Sequence, residues 1–123
     1  MNIKEYIRES ERTCPSLGSK ELNLVHMALG IGTESGEIQD CIKKFIAYGV
    51  DLDVVNIQEE IGDLMWYLAN LSRMLDMDFE EILRINIDKL HQRYGGGFSE
   101  ERAVLRDLEA ELKILGGDEV DVE

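Results

Sequence analysis

The sequence predicts an all-α protein in which a single domain forms a bundle of four to five helices. Proline, the strongest helix breaker, occurs once in the 123 residues, at Pro15. Hydrophobic residues make up 44% of the chain, which is enough for a core without disulfide or zinc support. The apolar residues recur every three or four positions, as expected for helices, and do not alternate as in strands.

The first two helices are predicted on either side of Pro15. Residues 1–12 form a short helix, and residues 13–18 end it. Ser19 is placed to cap a long helix from Lys20 to about Tyr48, because a serine oxygen can accept from a free backbone amide of the first turn. Its apolar positions include Leu22, Val25, Leu29 and Ile38.

A third helix is predicted after Gly49, with a start near Asp51 or Asp53 and an end at about Leu75. Because the connection is short, we expect the second and third helices to be an antiparallel pair. The apolar stripe of the third helix consists of Val54, Ile57, Ile61, Leu64, Met65, Leu68 and Leu71.

The remaining helices follow Asp78, which is a candidate N-cap for a helix over residues 79–94. Glycines 95–97 end that helix. Ser99 can cap a last helix to about Leu115, although Arg102 stands where a capping box would place glutamate. We expect the core of the domain to span about residues 20–110, with a frayed acidic tail at 116–123.

Composition excludes some classes of partner. Acidic residues outnumber basic ones by 26 to 13, and the net charge of −13 opposes binding to nucleic-acid polymers. No apolar run approaches the roughly 20 residues that cross a membrane, so no membrane partner is expected. Cys14 and Cys41 lack metal or redox spacing, and Met1–Glu5 has no targeting pattern. The prediction is a soluble cytoplasmic protein with free thiols.

Two acidic pairs suggest a metal site. Glu34 and Glu37 stand three residues apart on the second helix, and Glu60 and Asp63 do so on the third. Each pair projects from one helix face, so four carboxylates converge if those faces pack together. Without histidine or cysteine at ligand spacing, the donor set favours Mg²⁺, for which Mn²⁺ can substitute.

A glycine lies inside each pair, at Gly36 and Gly62. Alanine would be more stable at mid-helix by about 1 kcal/mol, so we interpret both glycines as allowing close helix approach at the level of the metal. Acidic pairs at this spacing also occur on solvated faces, and the spacing alone leaves that interpretation open.

The residues around the pairs resemble the MazG-like group of all-α nucleoside triphosphate pyrophosphohydrolases, which are related in fold to dimeric dUTPases and dCTPases. The resemblance covers about residues 20–110 and is carried by His26–Glu37, Lys43–Lys44, Asn56–Tyr67, Asn86–Leu90, Arg93–Tyr94 and Gly97–Ser99. It implies Mg²⁺-dependent hydrolysis of a nucleoside triphosphate to the monophosphate and pyrophosphate, by water attack at the α-phosphorus. The catalytic residues and metal ligands that it implies are Glu34, Glu37, Glu60 and Asp63.

Substrate contacts are predicted on three helices. A triphosphate needs positive charge besides the metal, and the resemblance places Lys89 and Arg93 on a phosphate-side helix, with Asn86 one turn earlier. Lys44 fits either phosphate binding or stabilisation of a helix C-terminus. Tyr67 and Asn70 share the face of Asp63, so they are candidates to line a nucleotide pocket. The preferred base and the general base, for which Glu59 is a further candidate, stay open.

The alternatives differ in class. A non-catalytic helical nucleotide-binding or interaction module would explain the acidic faces as solubility. A di-iron bundle requires Glu-x-x-His, and neither His26 nor His91 stands three residues after a glutamate. Among triphosphate substrates, dUTP, dCTP and damaged nucleotides stay open. Long helices with two apolar sides need a partner, so we expect a homodimer or homotetramer, as family members form.

Overall fold

The computed structural model describes residues 1–95 and 97–117, and these residues contain six helices and no strand. The predicted all-α class is confirmed. Most of the predicted acidic tail lies outside the described residues, which end at Gly117. The helices are α1 (Ile3–Arg12), α2 (Lys20–Tyr48), α3 (Val54–Met74), α4 (Phe79–Tyr94), α5 (Glu100–Val104) and α6 (Leu108–Ile114).

The chain divides into two compact units. Residues 1–78, with α1 to α3, form the first unit, and the second begins at Phe79 and contains α4 to α6. None of the six helices in the described residues combines the length and the hydropathy of a membrane-spanning segment. Cys14 and Cys41 are both free thiols, as predicted.

The boundaries of α2 and α3 follow from local chemistry. Ser19 Oγ accepts from the Leu22 amide at 3.1 Å, which is the predicted cap of α2. Gly49 ends α2 in the left-handed region, at φ 65°, where a side chain would be strained. Asp53 Oδ1 then accepts from the Asn56 amide at 3.0 Å and starts α3.

Helices α2 and α3 make the main packing interface of the first unit. They pack tightly at Gly30, where an added Cβ would lie 2.1 Å from Tyr67 Cε1. Farther along, Asn56 Nδ2 donates to Cys41 Sγ at 2.9 Å. Met27 on α2 and Ala69 on α3 are fully buried.

The interpretation of Gly36 and Gly62 as sites of close helix approach is wrong for the described part of this chain. A Cβ built at either position meets nothing within 4 Å. The acidic side chains between α2 and α3 need room at that level, so the tight contact lies one turn before Glu34, at Gly30.

The first helix is joined to α3 by polar side chains. Trp66 Nε1 donates to Thr13 Oγ1 at 2.8 Å, and Arg73 Nη1 lies 3.6 Å from Glu11 Oε1. The hydrogen bond satisfies the one polar atom of an otherwise apolar indole. Trp66 therefore contributes to the packing of α1 on α3.

The second unit differs from the prediction at its end. One helix from Ser99 to about Leu115 was expected, and the structure has α5 and α6 instead. Ser99 Oγ does cap α5, accepting from the Arg102 amide at 3.3 Å. The break follows from Asp107, whose carboxylate accepts from the Ala110 amide at 3.0 Å and starts a new helix.

Candidate metal centre

Three of the four predicted carboxylates come together in the first unit. Glu34 is on α2, whereas Glu60 and Asp63 are one turn apart on α3. One oxygen from each of the three residues lies within 4.8 Å of the other two. Such a group of oxygen donors, with neither thiol nor imidazole among them, matches the preference of a hard divalent cation.

The burial and raised pKa of Glu60 indicate that the three-carboxylate group lacks a positive charge. The side chain is buried, at 9% exposed, and its Oε2 atom has no hydrogen-bond partner among the described residues. A hydrogen bond with Glu34, then burial, then the charges of Glu34 and Asp63 raise the pKa of Glu60 to about 7. An unpaired buried oxygen is costly, and a cation would satisfy it. The residues therefore fit a divalent metal ion.

Glu37 is not a member of this three-carboxylate group. It lies one turn beyond Glu34 on α2 and is exposed. Its charge instead contributes to raising the pKa of Lys44, after the larger effect of the hydrogen bond from Lys44 to Asp40. A role for Glu37 as a fourth ligand stays a prediction.

The first helix adds a residue that the sequence gave no reason to select. Burial and the negative charge of Asp63 raise the pKa of the Tyr6 phenol. Asp63 therefore acts electrostatically on a side chain of α1 as well as on Glu60. No local pattern identifies Tyr6, because its proximity to Asp63 depends on how α1 packs on α3.

Lys44, the predicted phosphate contact on α2, is already paired. Its Nζ lies 2.7 Å from Asp40 Oδ2, and Lys43 Nζ lies 3.5 Å from Asp40 Oδ1. Both lysines are largely exposed, so these ion pairs are readily exchanged for another anion. Asp40 thus contacts the lysines and is separate from the three-carboxylate group.

The two predicted pocket residues of α3 differ in availability. Tyr67 packs over Gly30, and its ring makes edge contacts with His26 and Trp66, at centroid distances of 5.9 and 4.9 Å. Asn70 is fully buried. Its Nδ2 donates to the Trp66 carbonyl at 3.1 Å, and its Oδ1 accepts from Arg73 Nη2 at 3.0 Å. The Asn70 amide is therefore committed to contacts within α3.

The remaining predicted substrate contacts, Asn86, Lys89 and Arg93, are all on α4 in the second unit. Asn86 is exposed and Lys89 is half-buried. Arg93 makes a bidentate ion pair with Glu111 of α6, with Nε to Oε1 at 2.8 Å and Nη2 to Oε2 at 3.2 Å. Arg93 is therefore engaged by a carboxylate of its own chain.

Comparison with known proteins supports the family resemblance that the sequence motifs indicate. The family model described as the MazG nucleotide pyrophosphohydrolase domain matches residues 24–98, which include all four predicted acids. The "Gene 37 protein" of Mycobacterium phage L5 is 33% identical over 81 residues, covering 60% of this chain and 68% of that protein. No solved structure matches the chain.

Proposed function

The chain belongs to the MazG nucleotide pyrophosphohydrolase domain family, and we propose that it hydrolyses a nucleoside triphosphate to the monophosphate and pyrophosphate in an Mg²⁺-dependent reaction. Water attacks the α-phosphorus, and pyrophosphate leaves. The single observation that carries this proposal is the convergence of Glu34, Glu60 and Asp63 within the matched residues. Mn²⁺ can replace Mg²⁺, since both accept oxygen ligands.

The carboxylates have separate tasks in this proposal. Glu34, Glu60 and Asp63 hold the ion, with Glu37 as a further ligand. When bound, the ion supplies positive charge that neutralises phosphate oxygens and acidifies water. Because its pKa is raised to about 7, Glu60 is partly protonated near neutral pH in the metal-free state, and binding of a cation would displace that proton. The general base is one of these acids or Glu59.

The substrate is bound by cations and by an aromatic side chain. Lys44, Asn86, Lys89 and Arg93 contact the phosphates. Tyr67 lines the nucleotide pocket through the part of its ring that is not packed on Gly30. Asn70, predicted to line this pocket, is fully buried and its amide is bonded within α3, so its role is to support α3 beside Tyr67. The order of contacts between α2 and α3, from Gly30 with Tyr67 to Cys41 with Asn56, supports an antiparallel pair.

The reaction is tested by incubating the protein with each common NTP and dNTP, with and without Mg²⁺, and resolving all products. We expect metal-dependent monophosphate and pyrophosphate, with a loss of at least about 100-fold in kcat/KM for Glu60→Gln. The control is Glu21→Gln, an exposed acid in the first turn of α2. Equal activity of the two variants would contradict the proposed role of the cluster.

A non-catalytic nucleotide-binding module is the alternative. It predicts nucleotide binding without turnover for every triphosphate, in the presence or absence of the metal. The raised pKa of Glu60 favours the enzyme, since a mere solubility face has no reason to bury an acid against two others. Cytoplasmic location also stays a proposal, based on the composition of the chain.

We also propose that a second copy of this chain packs against α2. Leu22, Val25 and Leu29 recur at spacings of three and four and are exposed by 51, 51 and 65%. The same face continues to Gly32 and Gly36, where a Cβ would meet nothing within 4 Å. Two such stripes related by a two-fold axis would bury each other, and open glycines allow close backbones.

The oligomer is tested by light scattering after size exclusion. We expect a mass of two or four chains of 14.0 kDa, and a monomer for Leu29→Glu. Val104→Glu on α5, which is 81% exposed, is the matched control and should keep the wild-type mass. A wild-type monomer would contradict the proposal.

A further inference from the structure

Glu111 is an acid held by two guanidinium groups in the second unit. Its side chain is 3% exposed, and it accepts from Arg93 at 2.8 and 3.2 Å and from Arg106 Nη2 at 2.6 Å. The Arg93 side chain is itself only 14% exposed. The two arginines therefore form a built anion site, and a carboxylate of α6 occupies it.

This ion pair attaches α6 to α4. Glu111 is the buried residue of that helix, whereas Leu112 and Ile114 are half-buried and Leu108 is 63% exposed. The neighbouring α5 has no buried residue. A seven-residue helix is marginal by itself, so the bond from this carboxylate helps to keep α6 on α4.

The guanidinium N–H groups of Arg93 and Arg106 that hold Glu111 could also bind a phosphate. Guanidinium groups bind carboxylates and phosphates through the same bidentate hydrogen bonds, and a phosphate carries more negative charge than a carboxylate. Removing Glu111 without a substitute would leave two positive charges together, one of them largely buried. A phosphate that replaces Glu111 avoids that penalty.

We propose that Arg93 and Arg106 form a phosphate-binding site that Glu111 occupies in the ligand-free chain, so that α6 is a latch released by a di- or triphosphate. The identity of the ligand rests on the proposed function, whereas the anion site rests on the ion pairs alone. Arg93 then binds either Glu111 or a phosphate, but not both at once. Phosphate binds only those molecules in which Glu111 has left the two arginines, so the apparent affinity is the intrinsic affinity multiplied by the fraction of such molecules.

Inorganic pyrophosphate binding to the full chain tests the latch. Isothermal titration calorimetry is done in metal-free buffer, which separates the arginine site from the carboxylate cluster. Glu111→Gln should bind pyrophosphate about tenfold more tightly than wild type, as expected when a charge-assisted hydrogen bond no longer competes. Glu109→Gln on the same helix, an exposed acid that pairs with Lys113, should not change the affinity.

Two further measurements separate a latch from a purely structural ion pair. Adding Arg93→Gln to the Glu111→Gln variant should abolish the gain in pyrophosphate affinity. In the wild-type protein, saturating pyrophosphate should increase amide hydrogen exchange in residues 108–114, because α6 leaves α4. This exchange experiment needs no variant and decides the question even if Glu111→Gln fails to fold.

The proposal is overturned if pyrophosphate binds Glu111→Gln no better than wild type, or if exchange in α6 is unchanged at saturation. Either result would make Glu111 a structural partner of Arg93. Nucleotide turnover is not needed for these measurements, so loss of the proposed function and loss of the latch are distinguishable.

Discussion

The contact between Gly30 and Tyr67 predicts a large effect from a single methyl group. In Gly30→Ala the new Cβ would lie 2.1 Å from Tyr67 Cε1 and 2.3 Å from both Cδ1 and Cζ. The ring must move by more than 1 Å to restore ordinary contact, and it is already enclosed by His26 and Trp66. Overpacking of this kind costs about 1–3 kcal/mol, against a gain of about 1 kcal/mol from replacing glycine in a helix.

Gly62→Ala is the matched control. Gly62 is also in mid-helix, but a Cβ there meets nothing within 4 Å, so only the helix-forming gain applies. The difference between the two variants should equal the overpacking cost of about 1–3 kcal/mol. For a chain of this size that is a difference of about 4–12 °C in Tm, with Gly62→Ala the more stable variant.

The assay is thermal unfolding followed by circular dichroism, in metal-free buffer and at one protein concentration, because metal or self-association would shift Tm. Near-ultraviolet spectra report whether the Tyr67 and Trp66 environments change. Equal Tm values for Gly30→Ala and Gly62→Ala would refute the close approach of α2 and α3 at Gly30.

Three further predictions concern charge and hydrogen bonding. The pKa of Glu60, raised from 4.5 to about 7 in the folded state, disfavours its charged form. The free energy of unfolding of the metal-free protein should therefore fall as pH rises from about 4.5 to about 7. In unfolding measurements at pH 5–8, Glu60→Gln should lack this part of the fall. Parallel plots of unfolding free energy against pH for wild type and variant would contradict the raised pKa. Hydrogen bonds from Arg93 and then Arg106 lower the pKa of Glu111 from 4.5 to about 2. The advantage of wild type over Glu111→Gln should therefore be complete above about pH 4.5 and disappear as pH falls towards 2; a gap independent of pH in acid unfolding would count against the ion pair. Thr13→Val removes the 2.8 Å acceptor of Trp66 Nε1 and should lower the free energy of unfolding by about 0.5–1.5 kcal/mol in urea titration, whereas an unchanged midpoint would show that this bond does not hold α1.

The sequence was informative where local signals decide the structure. Ser19, Gly49 and Ser99 end or begin helices as their chemistry requires, and four helices lie where periodicity placed them. The break at Asp107 was missed because a capping aspartate also fits the exposed face of a continuous helix. Local patterns therefore gave the helices but not the division of the last one.

The candidate site was only partly predictable. Acidic spacing selected Glu34, Glu60 and Asp63 together with Glu37, but it did not decide whether the two helix faces pack together or which of the four acids meet. Tyr6 and the partnership of Arg93 with Glu111 depend on contacts between residues distant in sequence, which no spacing encodes. Gly30, the glycine that is required for packing, could not be told from Gly36 without knowing which face of α2 meets Tyr67.

If water attacks the α-phosphorus of a nucleoside triphosphate, as we propose, hydrolysis in ¹⁸O-enriched water with Mg²⁺ will show it in the position of the label. Mass spectrometry of the products should find the label in the nucleoside monophosphate and none in pyrophosphate. Label in pyrophosphate, or formation of the diphosphate and orthophosphate, would exclude attack at the α-phosphorus.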